Sequence, residues 1–183
     1  MKNLIVSLDT YSWVAYCSGT IMRNPKDFEV IIVQSQNDVP IFGYEQFCEK
    51  ARYEQRKCDI FRIGKKLGVR KISNLEYPTK IDISQLIVQL QFYISLGNVQ
   101  KVYYQNIKPL NEIFNGIRNV LKIPILSYSH PRGAVVERIE LNGDERIRKS
   151  DLSEMIVGAT TKTDTHFPLL SERFFKKEVK DKK

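Results

Sequence analysis

The sequence predicts an α/β protein: a Rossmann-like, doubly wound, mainly parallel sheet flanked by helices. Three observations lead there. Five short β-branched or aromatic runs alternate with stretches of helical apolar spacing over residues 3–128. The first run, Leu4-Ile-Val-Ser-Leu8, passes through a polar turn, Asp9-Thr-Tyr-Ser-Trp13, straight into an apolar helix start at Val14. The second, Phe28-Glu-Val-Ile-Ile-Val33, is nearly continuous in apolar character, as a strand covered on both faces requires.

The remaining elements follow in order. Residues 35–44 hold turn formers and read as a loop. A long helix is expected from about Glu45 to Leu67, stopped by Gly68 as its C-cap. Lys71-Ile-Ser73 is a short strand. Asp82 or Ser84 caps a helix whose Ile83, Leu86, Ile87, Leu90 and Ile94 share helical spacing, ending near Gly97. A strand near 101–104, a helix over Leu110–Leu121 and a strand near 124–128 complete the alternation. Beyond it, Ala134–Leu141 alternates imperfectly before Asn142-Gly143, a turn signal, and Lys149–Val157 reads as one more helix. The expected organisation is one domain over 1–170 and a charged, fraying C-terminal tail over 171–183.

Composition narrows the function classes. With 183 residues, 42% of them hydrophobic, the chain is long enough for one well-buried core. No apolar run approaches the roughly 18–20 residues needed to cross a bilayer, and the N-terminus reads as a strand rather than a signal peptide, so no membrane association is expected. Cys17, Cys48 and Cys58 form no C-x-x-C pair and read as small apolar residues in a reducing cytoplasm. The net charge of +8 invites a polyanionic partner.

In α/β sheets, ligands sit beyond the carboxyl ends of the strands, which puts the 9–13 turn where a site is expected. It offers one carboxylate, no His and no Cys. That is a poor metal site and a poor nucleophile site.

The order of landmarks resembles the PIG-L/LmbE family. The matching residues are the strand Leu4–Leu8 with Ser18-Gly-Thr-Ile21 in the following helix; Arg56-x-x-Asp59 before Leu67-Gly-Val69; Leu75-Glu-Tyr-Pro78; and Val102-Tyr-Tyr-Gln-Asn-Ile107 leading to Lys108-Pro-Leu-Asn111. The resemblance implies a zinc-dependent deacetylase fold for N-acetylated amino sugars. It also implies that the chemistry is lost. Asp9 stands at the first ligand His, Tyr11 at the general-base Asp, Ser12 at the second ligand, Trp13 at the Glu, Lys108 at the oxyanion-assisting His and Asn111 at the third ligand His. Zinc needs three strong protein donors and an open place for water, and this set supplies one at most. No cofactor and no metal are expected, and Lys108 is expected to pair with Asp9.

Other groups compete with this reading. Asp9 and Lys108 are catalytic residue types, but the turn residues serve equally as helix caps lining a polar crevice. Arg56 and Asp59, three apart on one helix, suit a structural ion pair as well as a ligand contact. His130, followed by Pro-Arg-Gly133, falls at the ligand-binding edge of the sheet. His166 with Asp164 offers two metal donors and no third. Lys50, Arg52, Arg56, Lys57, Arg62, Lys65 and Lys66 crowd one helix, either as a nucleic-acid face or as an ordinary solvated one. The reading favours a cytoplasmic, catalytically degenerate PIG-L/LmbE-like binding or assembly component, a pseudoenzyme with a protein partner or an oligomeric state, in the manner of a viral or phage accessory protein. The alternatives are a divergent deacetylase or other hydrolase of amino-sugar or nucleotide-sugar derivatives, and a nucleic-acid accessory protein using the basic helix.

Overall fold

A computed structural model describes residues 2–33, 49–76, 81–129, 134–157 and 171–176. Its described elements run β1 (Lys2–Ser7), α1 (Ser12–Arg23), a 3-10 turn (Pro25–Asp27), β2 (Phe28–Ile32), α2 (Glu49–Leu67), β3 (Lys71–Asn74), α3 (Ile83–Leu96), β4 (Val99–Gln105), α4 (Leu110–Ile117), β5 (Ile125–Tyr128), β6 (Ala134–Glu140), α5 (Gly143–Val157) and β7 (Ser171–Lys176). The sheet order is β3-β2-β1-β4-β5-β7-β6. The first five strands pair in parallel, and β7 pairs antiparallel to both β5 and β6. The chain order reverses between β1 and β4, which makes their carboxyl ends the switch point where α/β sheets bind ligands.

Period-two alternation sends apolar residues to both faces of the sheet. Ile5, Val30, Ile32 and Tyr103 pack with Trp13, Cys17, Ile60 and Leu152, which places α1, α2 and α5 on one side. Leu4, Val6, Ile31 and Tyr104 pack with Leu86, Leu90, Leu110 and Phe114, placing α3 and α4 on the other. Both faces are covered, as the continuous apolar strands require.

Local signals account for most boundaries. Gly68 adopts φ 75°. Its N–H donates to Lys65 O and that of Val69 to Gly64 O, both at 3.1 Å, the paired bonds that end a helix on a left-handed residue. Asp82, rather than Ser84, caps α3, accepting from Gln85 N at 3.1 Å. Residues 45–48 of the expected second helix lie outside the described residues, and α4 ends at Ile117, short of Leu121.

Two expectations are corrected. The Asn142-Gly143 pair is not a hairpin turn. Asn142 Oδ1 accepts from Glu145 N and Asn142 N donates to Glu145 Oε2, both at 2.9 Å, a capping box that starts α5 at Gly143 instead of 149. Residues 171–176 are not the start of a tail. They form β7, with Ser171, Glu172, Phe174 and Phe175 buried and Phe174 against the Tyr103 ring at 4.6 Å. Glu172, wholly buried, makes this strand possible. Its carboxylate accepts from Gly19 N and Thr20 N at 2.8 Å, from Thr20 Oγ1 at 2.5 Å, and from Lys149 Nζ, which is also fully buried.

The Ser18-Gly-Thr segment is therefore the seat of the last strand. A Cβ on Gly19 falls 2.3 Å from Leu141 Cδ2 and 3.2 Å from Glu172 Oε1. Gly19→Ala is expected to destabilise the protein by about 1–3 kcal/mol through overpacking. Urea unfolding with an unchanged m-value is the check, and a neutral or stabilising result refutes the close approach.

Candidate functional site

The site is assembled where β1 and β4 end side by side. Beyond Ser7 the chain turns through Asp9–Tyr11 and enters α1 at Ser12. Asp9 directs that turn. Its Oδ1 accepts from Tyr11 N at 2.9 Å and Ser12 N at 2.7 Å, satisfying N–H groups that the start of a helix leaves without internal partners. Its Oδ2 accepts from Ser12 Oγ at 2.5 Å and from Gln105 Nε2 at 2.6 Å. Gln105, the last residue of β4, is locked in orientation because its Oε1 accepts from Leu8 N at 2.8 Å and Ser7 Oγ at 3.3 Å. Trp13 closes the underside of the turn, fully buried, with Nε1 donating to Thr10 O at 2.7 Å.

Around this knot the side chains are aromatic and neutral. Burial raises the Tyr16 phenol above its ordinary pKa and the nearby Asp9 charge raises it further. Tyr128, at the end of β5, is fully buried, donates to Val6 O at 3.2 Å, and has its pKa pushed well up by desolvation. Both phenols therefore stay protonated at neutral pH and serve as hydrogen-bonding groups rather than bases. Tyr11 is buried as well.

The expected site residues are only partly brought together. Asp9 and Ser12 are bonded to each other. Asn111 lies in the first turn of α4, on the same carboxyl-end side of the sheet, and its Oδ1 is buried without a hydrogen-bond partner among the described residues. Lys108 does not pair with Asp9. It is exposed and its Nζ meets Glu112 Oε1 at 2.9 Å, because residues four apart at a helix start face each other while Asp9 is already saturated by Gln105 and the α1 backbone. His130, His166 and Asp164 lie outside the described residues, as does Cys48; Arg56 lies in α2 with its side chain outside them. Asp59, buried, binds Arg62 at 3.2 Å.

Gln105 is the residue that sequence reasoning missed. A polar side chain closing an apolar strand at the switch point was the available signal; its pairing with Asp9 depends on β4 lying beside β1, which no local pattern states.

Among the described side chains of the basic helix, Lys57 and Arg62 are paired, and two cations just beyond its end also have partners. Lys57 pairs with Glu76 at 2.8 Å, Arg62 with Asp59, and Arg70 lies 3.7 Å from Glu29. Lys71 sits over the Tyr93 ring. Lys65 and Lys66 are exposed at the end of α2, and the side chains of Lys50 and Arg52 lie outside the described residues. Cys17 is buried and Cys58 exposed, both as free thiols. No helix among the described residues is long and apolar enough to cross a membrane.

No protein-family profile and no curated protein sequence matches the chain. Solved structures do. N,N'-diacetylchitobiose deacetylase from Pyrococcus horikoshii, solved with its inhibitor MPG, superposes with a TM-score of 0.68 at 12% identity, covering 94% of this chain and 82% of the deacetylase. The chain shares the α/β fold of this deacetylase. The conserved protein TT1542 from Thermus thermophilus superposes with a TM-score of 0.60, also at 12% identity, covering 96% of this chain and 94% of that one.

The zinc that the PIG-L/LmbE resemblance implies does not fit these residues. Among the described residues no group of three His, Cys, Asp or Glu side chains converges. The one carboxylate at the turn, Asp9, spends both oxygens on four protein donors. Serine and asparagine are weak zinc donors beside it.

Proposed function

We propose that this PIG-L-like protein is a cytoplasmic binding or assembly component whose crevice does not carry out zinc-dependent hydrolysis. One observation carries the reading: the Asp9 carboxylate is consumed by the Tyr11 and Ser12 amides, the Ser12 hydroxyl and Gln105. A deacetylase needs an activated water, a group to hold the oxyanion and a base within reach. Asp9 is tied down, Lys108 faces Glu112, and Tyr11 offers a phenol where a carboxylate base is needed. What remains suits recognition. The half-buried neutral phenol of Tyr16 and the unpartnered Asn111 acceptor at the head of α4 fit a neutral, hydroxyl- or amide-bearing ligand better than a metal-bound one. The free thiols of Cys17 and Cys58 support a reducing compartment.

Two measurements on the purified protein test this reading: elemental analysis for transition metals and acetate release from N-acetylglucosamine-type substrates with and without a chelator. The expected result is less than stoichiometric zinc and no chelator-sensitive turnover. Tightly held stoichiometric metal, or turnover that a chelator abolishes, overturns the reading in favour of an active divergent deacetylase.

A further inference from the structure

Helix α3 is apolar on two opposite faces. Leu86, Leu90 and Ile94 form the row buried against the sheet. Val88, Phe92 and Leu96 form a second row, 64%, 65% and 71% exposed. At 100° per residue the second row lies diametrically opposite the first, with Phe92 at its centre. A helix apolar on both sides is normally covered on both sides.

The flanks identify the cover. The helix Ile83–Leu96 contains no Asp, Glu, Lys or Arg; Ser84, Gln85, Gln89, Gln91 and Ser95 border the stripe. In a chain with a net charge of +8, this is a surface on which another copy can approach without bringing like charges together. A lipid surface is a poorer fit, because helices that lie on membranes carry Lys and Arg along their polar face and this one has none. An acidic partner has no cation on this helix to meet.

The spacing also has the symmetry of a self-contact. Val88 and Leu96 stand four residues to either side of Phe92, so an antiparallel copy related by a two-fold axis at Phe92 brings Val88 against Leu96 twice and Phe92 against itself. Such i±4 ridges interdigitate at a crossing angle of about −50°.

We propose that two copies of this chain associate through α3 across a two-fold axis at Phe92. The three side chains expose roughly 350 Å² per copy, taking about 200 Å² for a whole Phe and somewhat less for Val and Leu. Two copies then bury roughly 700 Å² from the stripe, below the ~1,200 Å² typical of stable interfaces, which makes the dimer reversible and concentration-dependent. The inference is independent of what the crevice does, since a monomer without zinc and a dimer with zinc are both distinguishable outcomes.

Sedimentation across about 10–500 μM, the range in which so small an interface assembles, is the test. The wild-type chain is expected to move from 21.3 kDa toward twice that mass. Phe92→Asp should raise the dimer dissociation constant at least ~10-fold with its melting temperature unchanged, since the residue is exposed. In a Cys48→Ser, Cys58→Ser background, Phe92→Cys should cross-link to itself on mild oxidation and Gln91→Cys should not. A single 21.3 kDa species at every concentration, or a dimer indifferent to Phe92→Asp, overturns the proposal. So does sedimentation of the monomer with anionic vesicles that Phe92→Asp abolishes, which gives the stripe to a lipid surface.

Discussion

Glu172→Gln is expected to cost about 3–5 kcal/mol of stability, the largest effect of any single substitution considered. The substitution keeps the shape of the side chain and removes its charge. Lys149 Nζ, wholly buried, then has no carboxylate, and the only salt-bridge partner among the described residues is gone. The Gly19 and Thr20 amides lose a charge-assisted acceptor at the same time. For a chain of this size the loss corresponds to roughly 6–20 °C in Tm. The reverse substitution, Lys149→Met, should cost less, because Glu172 retains Gly19 N, Thr20 N and Thr20 Oγ1 as donors. Combining the two should recover stability relative to Glu172→Gln alone, since a buried pair replaced together leaves no uncompensated charge. Thermal and urea unfolding of the three variants measure this. A Glu172→Gln loss below about 1 kcal/mol, within the range of ordinary surface changes, would show that β7 is not held by this pair.

Asp9→Asn is expected to destabilise by about 2–3 kcal/mol without changing metal content. The asparagine oxygen can still accept from Tyr11 N and Ser12 N. Its amide nitrogen then faces Gln105 Nε2, donor against donor. Gln105 cannot turn over to relieve the clash, because its oxygen is already engaged by Leu8 N and Ser7 Oγ. Adding Gln105→Glu restores an acceptor opposite the new amide and should return part of the lost stability. If Asp9 instead served a bound metal or a catalytic proton transfer, Asp9→Asn would strip metal or activity while leaving the unfolding midpoint nearly unchanged. The two roles thus separate on one pair of measurements.

The parallel half of the fold was legible because each of its signals is local. Gly68 and Asp82 mark helix ends with residues whose backbone freedom or side-chain reach suits those positions. The apolar runs at 4–8 and 28–33 announce strands covered on both faces. Asn142-Gly143 was legible too, but ambiguous: the same dipeptide starts a hairpin turn or caps a helix, and Glu145, three residues on, decides for the cap.

The site was legible in inventory and not in geometry. That the 9–13 turn holds one carboxylate follows from the sequence. The expectation that Lys108 answers it failed, because Glu112 sits one helical turn away while Asp9 is reached by Gln105, a residue 96 positions distant.

By itself, then, the sequence determined the α/β class, the five parallel strands and the single carboxylate of the 9–13 turn. Each of these depends on residues close in the chain, whose spacing and donor chemistry can be read directly. Only the tertiary structure decided that the last strand enters the sheet between β5 and β6, that Glu172 and Lys149 neutralise each other inside the protein, and that Asp9 is spent on Gln105. The physical reason is the same in all three. Burying a charge or a polar group is costly until a partner from a distant segment arrives, so the energetics of Glu172, Lys149 and Asp9 reside in pairs and not in the residues themselves.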